Sequence, residues 1–264
     1  MNTQTFILSD RSSDFTTYYS SAINLDRNKK YEAALLSIDF YNSIPNITEE
    51  NNQFKYSTDN GSNWKIITLS TGSYELSAIN DEIQRQMIVN GDYDTSNNNF
   101  YIAITANTSK LSSVIEITNQ TYKIDFTFEN SIGQTLGFNK IILNYGYNES
   151  QNIVDIMKIN SILVNIDIIT GSYVNGSQFP VIYSFFPNVS PGRKIVERPN
   201  PSLIYYPVNR SDISYIRLWL TDQDNKPVDI RGERITVRII IREVINIKSE
   251  IKAALQELKK ENIT

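Results

Sequence analysis

The chain has 264 residues, and its 25 basic and 29 acidic side chains give a formal charge of −4 at neutral pH. This balance argues against a protein that coats nucleic acid, which requires a clustered basic surface. The sequence has no Cys and no His, which excludes disulfides, thiolate metal sites, cysteine nucleophiles and the Ser-His-Asp triad. We therefore expect no enzyme, no cofactor, and no catalytic or metal-ligating residue.

Alternating apolar and polar residues predict five strands that each have one face in a core. The expected core-facing residues are Ala34, Leu36, Ile38 and Phe40; Tyr122, Ile124, Phe126 and Phe128; Ile162, Val164, Ile166 and Ile168; Ile216, Leu218 and Leu220; and Ile235, Val237, Ile239 and Ile241. Weaker strand signals lie at residues 5–9, 54–57, 64–70, 100–105, 113–118, 180–186 and 203–208. So many short strands, joined by polar turns, indicate an all-β sandwich or barrel.

Three segments have helical features instead. Apolar residues at helical spacing predict a helix over 76–87, with Ser77 as its N-cap and Asp81 and Glu82 near the positive end of its dipole. Residues 131–138 indicate a short helical turn that ends at Gly137.

The third helical segment is at the C-terminus, where one face carries an apolar stripe. The stripe is formed by Ile247, Ile251, Leu255 and Leu258. We therefore expect a single domain over residues 1–245, followed by a C-terminal amphipathic helix or tail over 246–264. The longest apolar runs are too short to predict a transmembrane segment.

Three acidic segments suggest chemistry, but each is better explained as local structure. Residues 222–229 resemble a calcium loop, yet Lys226 replaces an oxygen ligand and Pro227 stands where the turn needs Gly. We expect a polar turn between two strands. The neighbouring carboxylates Asp81–Glu82 and Asp92/Asp94 are explained by the helix dipole and by a solvated turn.

The most basic short stretch is Pro191 to Lys194, with Arg198 nearby, and we interpret it as a turn with solvated charges. Adjacent aromatic pairs occur at Tyr18–Tyr19, Phe185–Phe186 and Tyr205–Tyr206. Only one member of such a pair on a strand can face the core. The other member is then available for contacts with further subunits.

Short phrases form one ordered series over nearly the whole chain. They lie at residues 6–9, 23–25, 31–35, 41–47, 71–76, 130–133, 136–138, 170–173, 186–197, 206–209, 222–224 and 231–238. The series resembles the penton-like minor capsid proteins of the Polinton/Maverick, adintovirus and virophage group. No single phrase is a strong motif, so the resemblance rests on the order of the whole set.

The resemblance implies a single jelly roll of two antiparallel sheets, with one or two short helices in its loops, at the vertex of an icosahedral double-stranded DNA virus or virus-like element. It implies a homopentamer that contacts a major capsid protein with a double jelly roll, with or without a fibre or spike. It implies a virion location after synthesis in the host cytoplasm or nucleus, and no sequence-specific nucleic-acid binding.

Two alternatives stay open at this point. One is another structural virion part, related to the major capsid protein or to a spike base. The other is a sugar-binding jelly-roll lectin, because lectins share the architecture and fold does not fix function.

Overall fold

The computed structural model describes residues 3–97, 99–199 and 201–244. The predicted C-terminal helix of residues 246–264 lies outside these described residues. The chain begins with three long strands, β1 (Thr3–Asp10), β2 (Asp14–Asn24) and β3 (Tyr31–Tyr41).

Residues 42–161, which we call the insertion, form a separate set of elements. They are β4 (Gln53–Ser57), β5 (Lys65–Thr68), α1 (Leu76–Val89), β6 (Ile102–Asn107), β7 (Ser112–Ile117), β8 (Lys123–Asp125), β9 (Ile142–Leu143) and β10 (Gly146–Glu149). These strands build two small sheets, in the orders β5–β4–β8–β9 and β10–β7–β6.

The remaining strands follow the insertion in the sequence. They are β11 (Ile162–Ile166), β12 (Ser172–Val174), β13 (Ser177–Phe179), β14 (Val181–Phe185), β15 (Lys194–Glu197), β16 (Tyr206–Pro207), β17 (Asp212–Asp222) and β18 (Ile235–Glu243). Strands β12 and β13 form a hairpin of their own, whereas the others join β1, β2 and β3 in two larger sheets.

The two larger sheets form a jelly roll, which we call the sandwich. Their strand orders are β1–β18–β3–β15, with β16 also beside β3, and β14–β11–β17–β2. The pairing is antiparallel and nested: the first strand pairs with the last, β2 with β17, β3 with β15, and β11 with β14. Because nested pairing of eight strands in two sheets defines a jelly roll, the predicted fold class is confirmed.

The core of the sandwich lies between these two sheets. Strands β11, β17 and β18 place their predicted residues in it, including Val164, Leu218 and Ile239. The prediction is wrong for the first half of β3, where Ala33 and Leu35 replace Ala34 and Leu36 in the core cluster. The pairing with β18 shifts register at this point. Such a bulge changes which face the following residues occupy.

The insertion has its own hydrophobic core, separate from that of the sandwich. Its buried residues run from Ile47 to Leu143 and include Phe54, Tyr56, Ile83 and Phe126. The predicted Tyr122, Ile124 and Phe126 belong to this second core, and Phe128 is only half-buried. The chain therefore folds into two lobes, the jelly roll and the insertion, and each lobe has its own hydrophobic core.

Helix α1 confirms the predicted apolar spacing, since Ile79, Ile83 and Met87 are buried. Its predicted N-cap, Ser77, is wrong: the N-cap is Glu75, whose side chain makes no capping hydrogen bond, and no acidic residue lies in the first turn. Glu82 instead binds Arg85 one turn later at 2.6 Å. Packing of Leu76 against the second core fixes the start of the helix more strongly than capping preference does.

Residues 131–138 form hydrogen-bonded turns, in which the Leu136 N–H donates to the Ile132 carbonyl at 3.1 Å. Gly137 has φ +82°. It therefore ends this segment in the left-handed conformation that glycine tolerates, as the sequence predicted.

Candidate interaction surfaces

The outer face of the β14–β11–β17–β2 sheet carries aromatic and arginine side chains in contact with each other. We call Tyr18, Arg210, Tyr215, Arg217 and Trp219 the arginine–aromatic face. Tyr18 is 77% exposed, and its ring centroid lies 6.0 Å from that of Tyr215 on the paired strand. The guanidinium carbon of Arg210 is 4.5 Å from the Tyr215 ring centroid, and that of Arg217 is 4.9 Å from the Trp219 centroid.

Two carboxylates hold these arginines in place. Arg217 donates to both oxygens of Asp14, at 2.9 and 2.6 Å. The side-chain hydrogen bond from Arg217 lowers the pKa of Asp14. Arg210 donates to Asp167 Oδ2 at 2.8 Å, and the Arg217 backbone N–H donates to Asp167 Oδ1 at 2.9 Å. The guanidinium planes are therefore ordered before any partner arrives, and ordered Arg, Tyr and Trp are the residues that dominate protein interfaces.

The outer face of the other large sheet has a different chemistry. We call Ile7, Asp39, Lys194, Val196 and Arg238 the Asp39 face. Asp39 accepts contacts from Lys194 at 2.8 Å and Arg238 at 3.5 Å. Ile7 lies opposite Arg238 in the strand register and is 63% exposed, and Val196 lies opposite Asp39. Because each sheet turns its inner side to the core, these two faces lie on opposite sides of the sandwich.

The basic stretch that the sequence singled out lies next to the Asp39 face. Gly192 adopts φ +74° in the turn before β15, and Lys194 makes the ion pair with Asp39. Arg193 and Arg198 are exposed. The interpretation as a turn with solvated charges thus holds for the turn and these two arginines, whereas Lys194 has a partner.

Each adjacent aromatic pair divides as expected, with one ring inward. Tyr19 packs against the core and contacts Phe6 edge-on, while Tyr18 is exposed. Phe185 is buried and Phe186 exposed. In the third pair, the ring of Tyr206 packs on the core, and Arg242 covers Tyr205 with its guanidinium carbon 3.4 Å from the ring centroid.

A cleft of about 380 Å³ lies between the sandwich and the insertion. Its walls include the apolar side chains of Ile44, Ile156, Met157 and Val189. Asn46 fixes the two connections that meet there, because its side-chain NH₂ donates to the carbonyls of Tyr74 and Ile156 at 2.7 and 3.2 Å. The chain therefore enters and leaves the insertion at one place.

The neighbouring carboxylates Asp92 and Asp94 have different hydrogen-bond partners. Asp92 accepts hydrogen bonds from the Tyr56 hydroxyl and from Lys65 Nζ, each at 2.6 Å. Burial, together with this hydrogen bond, raises the pKa of Tyr56 far above its ordinary value. Asp94 instead accepts backbone N–H groups of its own turn, including that of Ser96 at 2.9 Å. Both carboxylates thus have structural partners.

The calcium-like segment is a turn stabilised by its own aspartate. Asp222 Oδ1 accepts the backbone N–H groups of Asp224 at 2.9 Å and Lys226 at 2.8 Å, and Asn225 has φ +62°. Over the described ranges of the chain, acidic side chains do not gather in groups of three or more that could hold a metal ion. Within residues 3–97, 99–199 and 201–244, no helix, α1 included, is long and apolar enough to cross a membrane.

Sequence reasoning missed the arginine–aromatic face, although a signal was present. Tyr215, Arg217 and Trp219 alternate with core residues on β17, so their side chains had to share the outer face. Their partners Asp14, Asp167 and Arg210 come from distant segments, and only the fold brings them together.

Comparison with known proteins gives likenesses to solved structures. Neither the known family models nor the curated protein sequences contain a match to this chain. Among solved structures, the chain is similar to the selenomethionine-labelled mavirus penton protein, with a TM-score of 0.49 and 12% sequence identity. The match covers 92% of this chain and 100% of that chain.

Proposed function

We propose that this protein is a penton-like capsid subunit, which forms the vertex of an icosahedral double-stranded DNA virus or virus-like element. The observation that carries the proposal is a jelly roll with two opposite outer faces of different chemistry, one with aromatic and arginine side chains and the other with exposed Ile7 and Val196. The ordered series of capsid-like phrases supports the same assignment. Jelly rolls of this type occur in viral capsid proteins.

Two different faces suit a closed ring of identical subunits. A cyclic ring needs one patch on each subunit that fits a second, different patch on the next subunit. The arginine–aromatic face supplies exposed Tyr18 and Tyr215, and the Asp39 face supplies exposed Ile7 and Val196. Aromatic and arginine side chains on one side and aliphatic side chains on the other can bury each other while the charges stay paired at their own carboxylates.

The proposed partners are four further copies of the chain and a major capsid protein with a double jelly roll. A fibre or spike on the same vertex is compatible with this arrangement. The proposed location is the capsid vertex of the virion, and the proposed role requires no catalytic residue.

Light scattering during size-exclusion chromatography tests the proposal. We expect a particle of about five times the 30.3 kDa monomer mass at high protein concentration, and ring-shaped particles in negative stain. Tyr18→Ala combined with Arg217→Ala should reduce the assembled fraction. Tyr147→Ala is the matched control, because this exposed tyrosine lies on β10 of the insertion. A symmetric dimer or trimer as the only assembly would contradict the proposal.

A further inference from the structure

The insertion contains a polar cleft of about 370 Å³, which is distinct from the apolar cleft beside the sandwich. Four separate parts of the insertion line it: residues 50–51, residues 126–135, Lys140, and the segment that includes Asp155 and Lys158. Its volume lies within the range of small-ligand sites. We call it the polar cleft.

The floor of the polar cleft is built from two buried polar residues. Asn51 is 7% exposed and Thr135 is 2% exposed. The Asn51 NH₂ donates to Thr135 Oγ1 at 2.7 Å and to the Asn46 carbonyl at 2.9 Å, while Asn51 Oδ1 accepts the Thr48 N–H at 2.8 Å. Because the Thr135 hydroxyl accepts a hydrogen bond there, its own proton remains available to a bound molecule.

The walls of the cleft offer planar hydrogen-bonding groups. Glu50, Glu129 and Asp155 supply carboxylates, and Asn130 and Gln134 supply amides. Among the ion pairs of the described residues, none involves these three carboxylates. They are therefore free to accept hydrogen bonds from a ligand.

One side of the cleft is aromatic. Phe128 is half-buried, and Lys55 Nζ lies 5.4 Å from its ring centroid, which helps to fix the ring. Lys140 and Lys158 also line the cleft and, like its carboxylates, form none of the ion pairs of the described chain. The cleft thus combines an aromatic side chain with both hydrogen-bond donors and acceptors.

We propose that the polar cleft binds a neutral pyranose unit of a glycan. A pyranose presents hydroxyl groups that both donate and accept around its rim, and a C–H face that can pack on an aromatic ring. Three carboxylates against two ammonium groups leave the cleft with a net charge of −1. This charge disfavours sialylated, sulfated and phosphorylated ligands because of like-charge repulsion.

This inference goes beyond the vertex role and does not depend on it. The sugar-binding alternative that the sequence leaves open concerns the jelly roll itself, whereas the polar cleft lies in the insertion. Sugar binding can therefore be tested on the full chain whatever its state of assembly.

The experiment is a glycan array probed with the fluorescently labelled full-length protein, followed by saturation-transfer NMR. The NMR probes are methyl glycosides of glucose, galactose, mannose and N-acetylglucosamine. We expect signals from neutral glycans and saturation transfer to at least one of the four glycosides. Glu129→Ala and Gln134→Ala should each weaken binding about tenfold, since each removes hydrogen bonds to the ligand.

Glu116→Ala is the matched control, because Glu116 is an exposed carboxylate on β7 in the same insertion but away from the cleft. It should leave binding unchanged. The proposal is overturned if neutral glycans give no signal in either assay, if only sialylated or sulfated glycans bind, or if the control weakens binding as much as the cleft variants do. Light scattering of the same variants shows whether assembly is intact, so failure of sugar binding and failure of the vertex role are distinguishable.

Discussion

Gly137 occupies a place where both backbone conformation and space require glycine. Its φ is +82°, and an added Cβ would overlap the backbone carbonyl oxygen of Asn152 and lie 2.9 Å from Ser150 Oγ. The Asn152 N–H also donates to the Gly137 carbonyl at 2.9 Å, which ties the two segments together. A side chain at this position must therefore push the segments apart.

We predict that Gly137→Ala lowers the free energy of unfolding by about 3 kcal/mol or more, from backbone strain plus steric overlap. Gly91→Ala is the control, because Gly91 has φ +72° but nothing within 4 Å of an added Cβ. It should cost only about 1–2 kcal/mol. Urea denaturation of both variants checks the difference, and equal losses would show that strain alone, without the overlap, sets the cost.

Hydrogen bonds to the Asp59 carboxylate make the stability of the turn after β4 depend on pH. Its pKa is lowered from 3.8 to about 2, first by the Asn63 backbone N–H at 2.8 Å and then by hydrogen bonds from the Asn63 side chain and the Ser57 hydroxyl. Because the folded pKa lies below the unfolded one, this stabilisation is complete above about pH 4 and is lost as the pH falls towards 2.

We therefore predict that the turn loosens between about pH 4 and pH 2 as the Asp59 carboxylate takes up its proton. The amide resonance of Asn63, followed by NMR, should titrate with a midpoint near the lower limit of that range. Asp59→Asn should remove the titration. A midpoint at the ordinary aspartate value in the wild-type protein would contradict the proposed set of hydrogen bonds.

Among the secondary-structure elements, helix α1 contributes its buried apolar face to the second core, that of the insertion. Ile83 is fully buried between the helix and the sheets of the insertion. We predict that Ile83→Ala lowers the free energy of unfolding of the insertion by about 2–5 kcal/mol, through lost burial and the cavity that remains. Hydrogen exchange should accelerate in the insertion, with β3 and β18 still protected.

Val89→Ala provides the control, because Val89 lies on the same helix but is 72% exposed. It should change stability by no more than about 0.5 kcal/mol. If Ile83→Ala removes protection from β3 and β18 to the same extent as from the insertion, the two cores unfold as one unit and their independence is refuted.

The strands show which features of the fold can be predicted from the sequence and which cannot. The alternation of apolar and polar residues correctly predicts β17 and β18, because one face of each strand is buried and the other is more exposed to solvent. It misplaced Leu36, because a bulge leaves no mark in the spacing of apolar residues. It also could not assign Tyr122 and Phe126 to a second core, since alternation identifies a buried face but not what that face packs against.

The candidate sites were harder to predict for a related reason. The polar cleft combines residues 50–51, 126–135, 140 and 155–158, which lie in separate segments of the sequence and are individually ordinary. The partners of Arg217 and Arg210 likewise come from other strands. Local patterns report on local structure, whereas these surfaces depend on which loops the tertiary fold brings together.

At the scale of the whole molecule, the described strands of the sandwich end at Glu243, before the apolar stripe at Ile247 to Leu258 begins. We predict that deleting residues 247–264 leaves the sandwich folded, because every described strand of the two large sheets ends at or before Glu243. Circular dichroism checks the fold. If the segment tethers neighbouring subunits, the deletion should also reduce ring formation in light scattering.

Full-length protein at the same concentration is the control for the deletion. Normal assembly of the shortened chain would show that the tether is not needed. Loss of β structure would show instead that the segment is part of the folding unit.

The nested order of the strands has a consequence for the synthesis of the protein. Strands β1 and β3 are not neighbours, because β18, made near the end of the chain, fills the space between them. The β1–β18–β3–β15 sheet therefore cannot close until β18 has been made, whereas the insertion core uses residues 47–143 and can form while the ribosome is still working. In the proposed ring, the Asp39 face includes Arg238 of β18, so a nascent chain that still lacks β18 cannot offer both outer faces of the sandwich to another copy.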